Sequence, residues 1–215
     1  MEGSFLHSPF YPKAGGAGGG HSAFRILSFS NDSPINEKGI PLSQAQFTWS
    51  YSGMPDAQSI TPIVGDVPIT LRSISVPGQS INGTTMFTLS ASDENHHRTA
   101  TTQVSFVDPI FYGTVPSAAP SVAEIMGMNK RVALFEPFRA SLVITDEHSC
   151  FASPMAFPIV DIEETVFGLS VFGTYNILNN VPLIMADGLV EPYRVIVKAV
   201  PEHTLGRKIF LDVVF

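Results

Sequence analysis

The chain has 215 residues, enough for one large domain or two small ones with usable cores. Hydrophobic residues make up 44% and charged residues only 14%, well under the usual ~25%, while 17 Gly and 17 Pro supply turns throughout. The net charge of −7 leaves no basic stripe to neutralise phosphates, which excludes a nucleic-acid binder; few charges and many turn residues point to an all-β chain, one subunit of an assembly that covers part of its surface.

Residues 1 to 23 read as an N-terminal arm. Phe5, Phe10 and Tyr11 stand among prolines in "GSFLHSPFYPK", and "AGGAGGGHS" follows. A Gly-rich stretch of this kind is a tether, so the aromatic segment is expected to anchor the chain to a partner. Strand signals begin at Phe24. In "FRILSFS" Phe24, Ile26 and Ser28 alternate against Arg25, Leu27 and Phe29. In "QFTWSYSG" Phe47, Trp49 and Tyr51 share one face, opposite Thr48 and Ser50. That aromatic face must be buried, and Trp49, the single tryptophan, is its natural anchor.

"PITLRSISV" reads as the next extended run, with Ile69, Leu71 and Ile74. "TTMFTLSAS" puts Phe87, Leu89 and Ala91 on one face. "DENHH" is a polar hairpin tip. "TATTQVSF" returns with Ala100, Thr102, Val104 and Phe106 together, and Pro109 then ends regular pairing, with Phe111 and Tyr112 expected to pack a joint between domains. Six or seven short strands at these spacings are the pattern of an immunoglobulin-like or fibronectin III-like sandwich over residues 24–113.

Ser121-Val122-Ala123-Glu124 has capping-box form and predicts one short helix over Val122 to Met128. Strand signals resume in "RVALFEP", "RASLVITD", "HSCFASPMAF", "ETVFGLSVFG", "EPYRVIVKAV" and "RKIFLDVVF". The apolar run "DVVF" is expected to be paired within a sheet or an interface. Residues 114–215 therefore read as a second β domain carrying one short helix. Asp187-Gly188 is a two-residue hairpin signal.

The single cysteine, Cys150, excludes an intramolecular disulfide and a Cys-rich zinc site, and points to assembly in a reducing cytoplasm. Met1-Glu2-Gly3-Ser4 lacks the basic and apolar regions of a signal peptide, and no run approaches the ~18 apolar residues of a membrane span. No membrane insertion is expected.

Candidate chemistry is thin. His96-His97, beside Asp93, Glu94 and Asn95, could bind a metal or a sugar, but adjacent strand residues point to opposite faces and a hairpin tip ordinarily collects polar residues. His148-Ser149-Cys150 invites a nucleophile and base, yet no nucleophile elbow is present, and Cys150 before Phe151 and Ala152 reads as a small buried hydrophobe. Asp161, Glu163 and Glu164 read as a solvated strand end, since local spacing cannot set the separation a glycosidase needs. The expectation is no catalytic residue, no cofactor and no metal.

Over residues 24–113 the segments "EKGIPLSQAQFTWSYSGMPDAQSI", "LRSISV", "TTMFTLSASDENHHRTATTQVSF" and "DPIFYGTVP" resemble, in order and spacing, the immunoglobulin-like modules of tailed-bacteriophage virion proteins of the tail-fibre and baseplate type. "CFASP", "VFGLSVFG" and "EPYRVIVKAVPEHTLG" resemble the domain that often follows such a module, although "EPYRVIVKAV" lacks its serine-rich end. The resemblance implies a structural part of a virion, assembled in the host bacterial cytoplasm. Its partners would be other virion proteins and copies of itself, with trimers common among phage projections. The competing expectation is a module that binds carbohydrate or a host-surface glycan through Tyr51, Met54, His96, His97 and Tyr175 on loops.

Overall fold

A computed structural model describes residues 24–165, 168–201 and 207–215, with the backbone alone at 207 and 208. The strands in chain order are β1 (Ile26–Asn31), β2 (Ile35–Glu37), β3 (Gln44–Tyr51), β4 (Ala57–Thr61), β5 (Gly65–Asp66), β6 (Ser73–Pro77), β7 (Thr85–Ser92), β8 (His97–Val107) and β9 (Ile110–Val115). Helix α1 (Val122–Met126) follows. Then come β10 (Asn129–Arg131), β11 (Phe138–Ile144), β12 (His148–Pro154), β13 (Asp161–Glu164), β14 (Leu169–Ser170), β15 (Tyr175–Ile184), β16 (Val190–Lys198) and β17 (Arg207–Val214). The expected all-β class is what the chain adopts.

The first unit packs a three-stranded sheet, β1-β3-β6, on a five-stranded sheet, β2-β8-β7-β4-β5. β2 runs parallel to β8 and every other pair in the two sheets is antiparallel. In immunoglobulin lettering this is A-B-E facing A′-G-F-C-C′, the sandwich arrangement expected. The core is Phe47, Trp49, Ile60, Val76, Phe87, Leu89 and Val104 with their neighbours. Phe47 on β3 and Phe87 on β7 meet with ring centroids 4.5 Å apart. They join the two strands that an inter-sheet disulfide links in antibody domains.

The alternation in β3, β7 and β8 falls as the sequence predicts. β1 differs. Its register shifts between Ile26 and Ser28, so Leu27 bulges outward at 63% exposure and Ile26 and Phe29, expected on opposite faces, both pack against the core. The predicted run at "PITLRSISV" is also shorter. Leu71 donates its N–H to the Pro68 carbonyl at 3.0 Å, so residues 68–71 form a turn and pairing starts only at Ser73.

The second unit is again two packed sheets, β10-β9-β12-β16-β15 and β11-β17-β13-β14, all antiparallel. Ile110, Phe138, Leu142, Phe151, Ile162, Ile196, Leu211 and Val213 fill the space between them. The other face of the five-stranded sheet carries a further cluster, Phe111, Val115, Cys150, Val195 and Val197, onto which α1 lays Ile125. Covered on both faces, β12 is buried along its whole length. The capping box forms in full: the Ser121 Oγ accepts from the Glu124 N–H at 3.3 Å, and Glu124 accepts from the Ser121 N–H at 2.6 Å. Asp212 to Val214 of the "DVVF" run lie in β17, which β11 and β13 flank, and Phe215 follows it and packs against the core.

Residues 110–113 were expected to close the first domain and pack the joint; instead they begin β9, which pairs with β10 and β12 inside the second unit. The change of sheets therefore falls at Asp108-Pro109 and not at 113/114. A proline after β8 ends one ladder, and the aromatic run after it is core of the next sandwich. β15, moreover, has no counterpart among the predicted strands. Its "ILNNVP" is broken by a register shift between Leu178 and Val181 with Asn180 at φ 58°, and Pro182 is accommodated because β15 is an edge. Of "RVALFEP" only Arg131 is in a strand, as the last residue of β10, and residues 132–137 are coil leading to β11.

Candidate functional site

The most constructed polar site lies where the two units meet. The Lys38-Gly39 turn of the first unit sits on the Ala186–Gly188 tip of the β15–β16 hairpin of the second. Gly39 has φ +83°, and a Cβ there would run into the Asp187 backbone nitrogen. Lys38 donates to the Glu191 carboxylate and stands 3.5 Å from Asp108 Oδ1, longer than an ordinary charge-assisted hydrogen bond. The hydrogen bond to Glu191 leads in raising the Lys38 ammonium above its usual range, with burial working against it. Asp108 is raised chiefly by burial, with Glu191 and Asp187 adding repulsion and Lys38 opposing it. A second bridge runs from Lys130 on β10 to Glu37 on β2, at 2.6 and 2.8 Å. Beneath these pairs the buried Tyr193 hydroxyl donates to the Pro109 carbonyl at 2.8 Å and pins the connecting residues.

Beside this joint opens a crevice of about 470 Å³ between the units. Thr84, Gln103, Ser105 and Phe106 form its first-unit wall, Leu134, Phe135 and Phe157 its second-unit wall, and Asp108 also lines it. Phe135 and Phe157 stack with centroids 4.1 Å apart and planes 9° apart. Phe157 remains 51% exposed and Leu134 46%. An open stacked platform with a carboxylate at its edge can hold an aromatic or aliphatic side chain next to a cation.

The residues singled out in the sequence do not converge. Phe5, Phe10 and Tyr11 lie outside the described residues. His96 lies in the predicted hairpin tip and His97 opens β8 opposite Ser92; in the tip Asp93 Oδ1 accepts from the Asn95 N–H at 2.9 Å, from the His96 N–H at 2.7 Å, and lies 3.0 Å from His96 Nδ1. Those bonds, the Asn95 N–H first, hold the Asp93 carboxyl below its ordinary range. His97 is exposed and edges a shallow depression with Ser59, Asp66, Ser90 and Ser92. Met54 is 62% exposed.

Tyr51 and Tyr175 are structural. Tyr51 donates its hydroxyl to Gln58 at 2.8 Å under the Arg72 guanidinium. Tyr175, expected on a loop, begins β15 at 7% exposure with its hydroxyl 2.9 Å from Ser149 Oγ. An aromatic residue opening a strand beside the second core is drawn inward, so it offers no ring to a sugar.

Cys150 is fully buried, and burial pushes its thiol up to about 12. Ser149 points to the opposite side of β12, toward Tyr175, and His148 Nδ1 lies 2.6 Å from the Lys198 carbonyl. His148 and Ser149 thus have separate partners, and Cys150 packs in the apolar cluster. Asp161 is likewise occupied, accepting from Ser170 Oγ at 2.6 Å. Among the described residues no group of three metal-ligating side chains comes together, and no helix is long and apolar enough to cross a membrane.

Sequence reading missed Lys38, Asp108 and Glu191, which are far apart in the chain and meet only through the joint. The available signals were the two glycine turns, Lys38-Gly39 and Asp187-Gly188, whose mutual contact no local pattern encodes. It also missed Gln58, buried at 4% exposure, which accepts from Trp49 Nε1 at 3.0 Å and from Tyr51. No family model matches the chain, and neither the curated proteins nor the solved structures include a match to it.

Proposed function

We propose that this chain is a structural component of a tailed-phage virion, a tail, fibre or baseplate subunit that works by protein–protein assembly and has no catalytic role. The observation that carries the reading is the joint. Two sandwiches are coupled by the Lys38–Glu191 and Lys130–Glu37 bridges, the Gly39–Asp187 contact and the buried Tyr193–Pro109 bond. A coupling of this kind suits a part that transmits position or load and not one that closes around a substrate. The phage-like segments of residues 24–113 give the same direction. In this reading the arm carrying Phe5, Phe10 and Tyr11 attaches the chain to neighbouring subunits, copies of itself among them. The loss of Tyr51 and Tyr175 to internal bonds weakens the sugar-binding alternative.

Immunogold electron microscopy on purified particles tests the proposal. Gold at a fixed place on the tail is the expected result. Absence of label from both intact and gently disrupted particles overturns it.

A further inference from the structure

The inter-unit crevice combines an open aromatic platform with a charged edge. Its platform is the open Phe135–Phe157 stack, its opposite wall carries Phe106, and its charged edge is Asp108. Around Asp108 two further carboxylates, Glu191 and Asp187, stand against the single cation Lys38, so the edge is short of positive charge. No lysine or arginine lines the crevice among the described residues. An occupant that satisfies both features must present an aromatic side chain and, close to it, a cation. Residues 10–13, Phe10-Tyr11-Pro12-Lys13, have that order, and Lys13 is the one Lys or Arg among residues 1–23.

Chain length decides whose segment it is. Phe24 packs edge-on against Tyr51, with centroids 6.1 Å apart. Tyr51 bonds to Gln58, which pairs with Ala91, which pairs with Arg98. Phe24 is therefore level with the start of β8, whereas the crevice runs along its second half from Gln103, and Asp108, the carboxylate the cation must reach, lies just beyond its end. From Arg98 to Asp108 a strand extends roughly 33 Å. The eleven residues from Lys13 to Phe24 reach about 38 Å only when drawn fully taut, while a Gly-rich chain of that length has its ends about 18 Å apart on average. Reaching the crevice of its own molecule would stretch the tether almost to its limit; reaching that of an adjacent molecule imposes no such demand.

We propose that the crevice between the two sandwiches receives the Phe10–Lys13 segment of a neighbouring copy, with the aromatic pair on the Phe135–Phe157 platform and Lys13 beside Asp108. Each copy then gives an arm and accepts one, a head-to-tail contact that closes into a ring or continues as an array. The proposal deepens the assembly reading above and names the surface the arm engages.

Sedimentation velocity on the full-length chain over a range of concentrations tests it. Wild type is expected to self-associate. The Phe10→Ala/Tyr11→Ala chain and the Phe157→Ala chain should each associate about tenfold more weakly or worse, with circular dichroism and thermal melts like wild type, because Phe157 is half-exposed. An equimolar mixture of the two should regain association, since one contributes a sound crevice and the other a sound arm. A wild-type chain that stays monomeric, variants that associate like wild type, or a mixture that regains nothing each overturn the proposal. Loss of particle incorporation in the arm variant with self-association unchanged assigns the arm to a different subunit and also overturns it. Failed immunogold labelling with intact complementation removes the virion reading alone.

Discussion

Gln58 shows how much one polar side chain can organise. Its Oε1 accepts from Trp49 and Tyr51, and its Nε2 donates to the Pro68 carbonyl at 2.6 Å, tying β3, β4 and the 68–71 turn together inside the first core. Burial raises the Tyr51 hydroxyl's pKa above its ordinary value, which favours the protonated, donating form. Gln58→Leu should cost about 2–3 kcal/mol, because the Trp49 and Tyr51 donors would lose their acceptor while volume is nearly kept. Urea unfolding followed by Trp49 fluorescence measures this; an unchanged midpoint would remove the hub from the stability account. Cys150 illustrates the reverse case. Its type and apolar neighbours already suggested a buried hydrophobe, and the structure agrees, since burial is what raises its thiol.

At the scale of elements, bulges decide what alternation alone leaves open. β1 and β15 each contain a register shift, and in each the shift changes which side chains face inward. In β15 Asn179 and Asn180 stand opposite the single residue Arg194, one residue in excess, and Asn180 takes φ 58°, which asparagine tolerates and a β-branched residue does not. Asn180→Val should lower stability by about 1–2 kcal/mol and Asn180→Gly should be close to neutral; paired thermal melts separate them, and equal melts would show that the positive φ is not what holds the register. The β15–β16 turn follows the same logic. Asp187-Gly188 announces a hairpin, but the loop holds three residues, Ala186 to Gly188, with Met185 donating to Leu189 and Gly188 at φ +80° closing the turn.

For the whole molecule, the joint is the feature with a pH signature. A carboxyl held above its ordinary value binds its proton more tightly in the folded state. Its stabilising contribution is present below the unfolded value and is lost as pH rises through the raised folded one. At neutral pH Asp108 is therefore a cost that Lys38 limits. Lys38→Met leaves Asp108, Glu191 and Asp187 without their cation. We expect it to lower stability by about 1 kcal/mol at neutral pH, a small figure because the pair is partly exposed. The difference from wild type should shrink on acidification through the range where Asp108 takes up its proton. Urea titrations at a series of pH values measure this, and a pH-independent difference would deny Asp108 the role given to it.

By itself, the sequence determined the β class, the faces of β3, β7 and β8, the capped helix α1 and the buried state of Cys150 and Trp49. These follow from local terms: a period of two, a Ser-x-x-Glu cap, and transfer of apolar side chains from water. Only the tertiary structure decided that residues 110–113 belong to the second sandwich, that Tyr175 faces inward, and that Lys38, Asp108 and Glu191 form one site. Each of those depends on which surfaces meet across long stretches of chain. An aromatic run after a proline suits a joint or a core equally well until a neighbouring strand pairs with it. A lysine and a glutamate 153 residues apart carry no mutual signal until two glycine turns bring their backbones together.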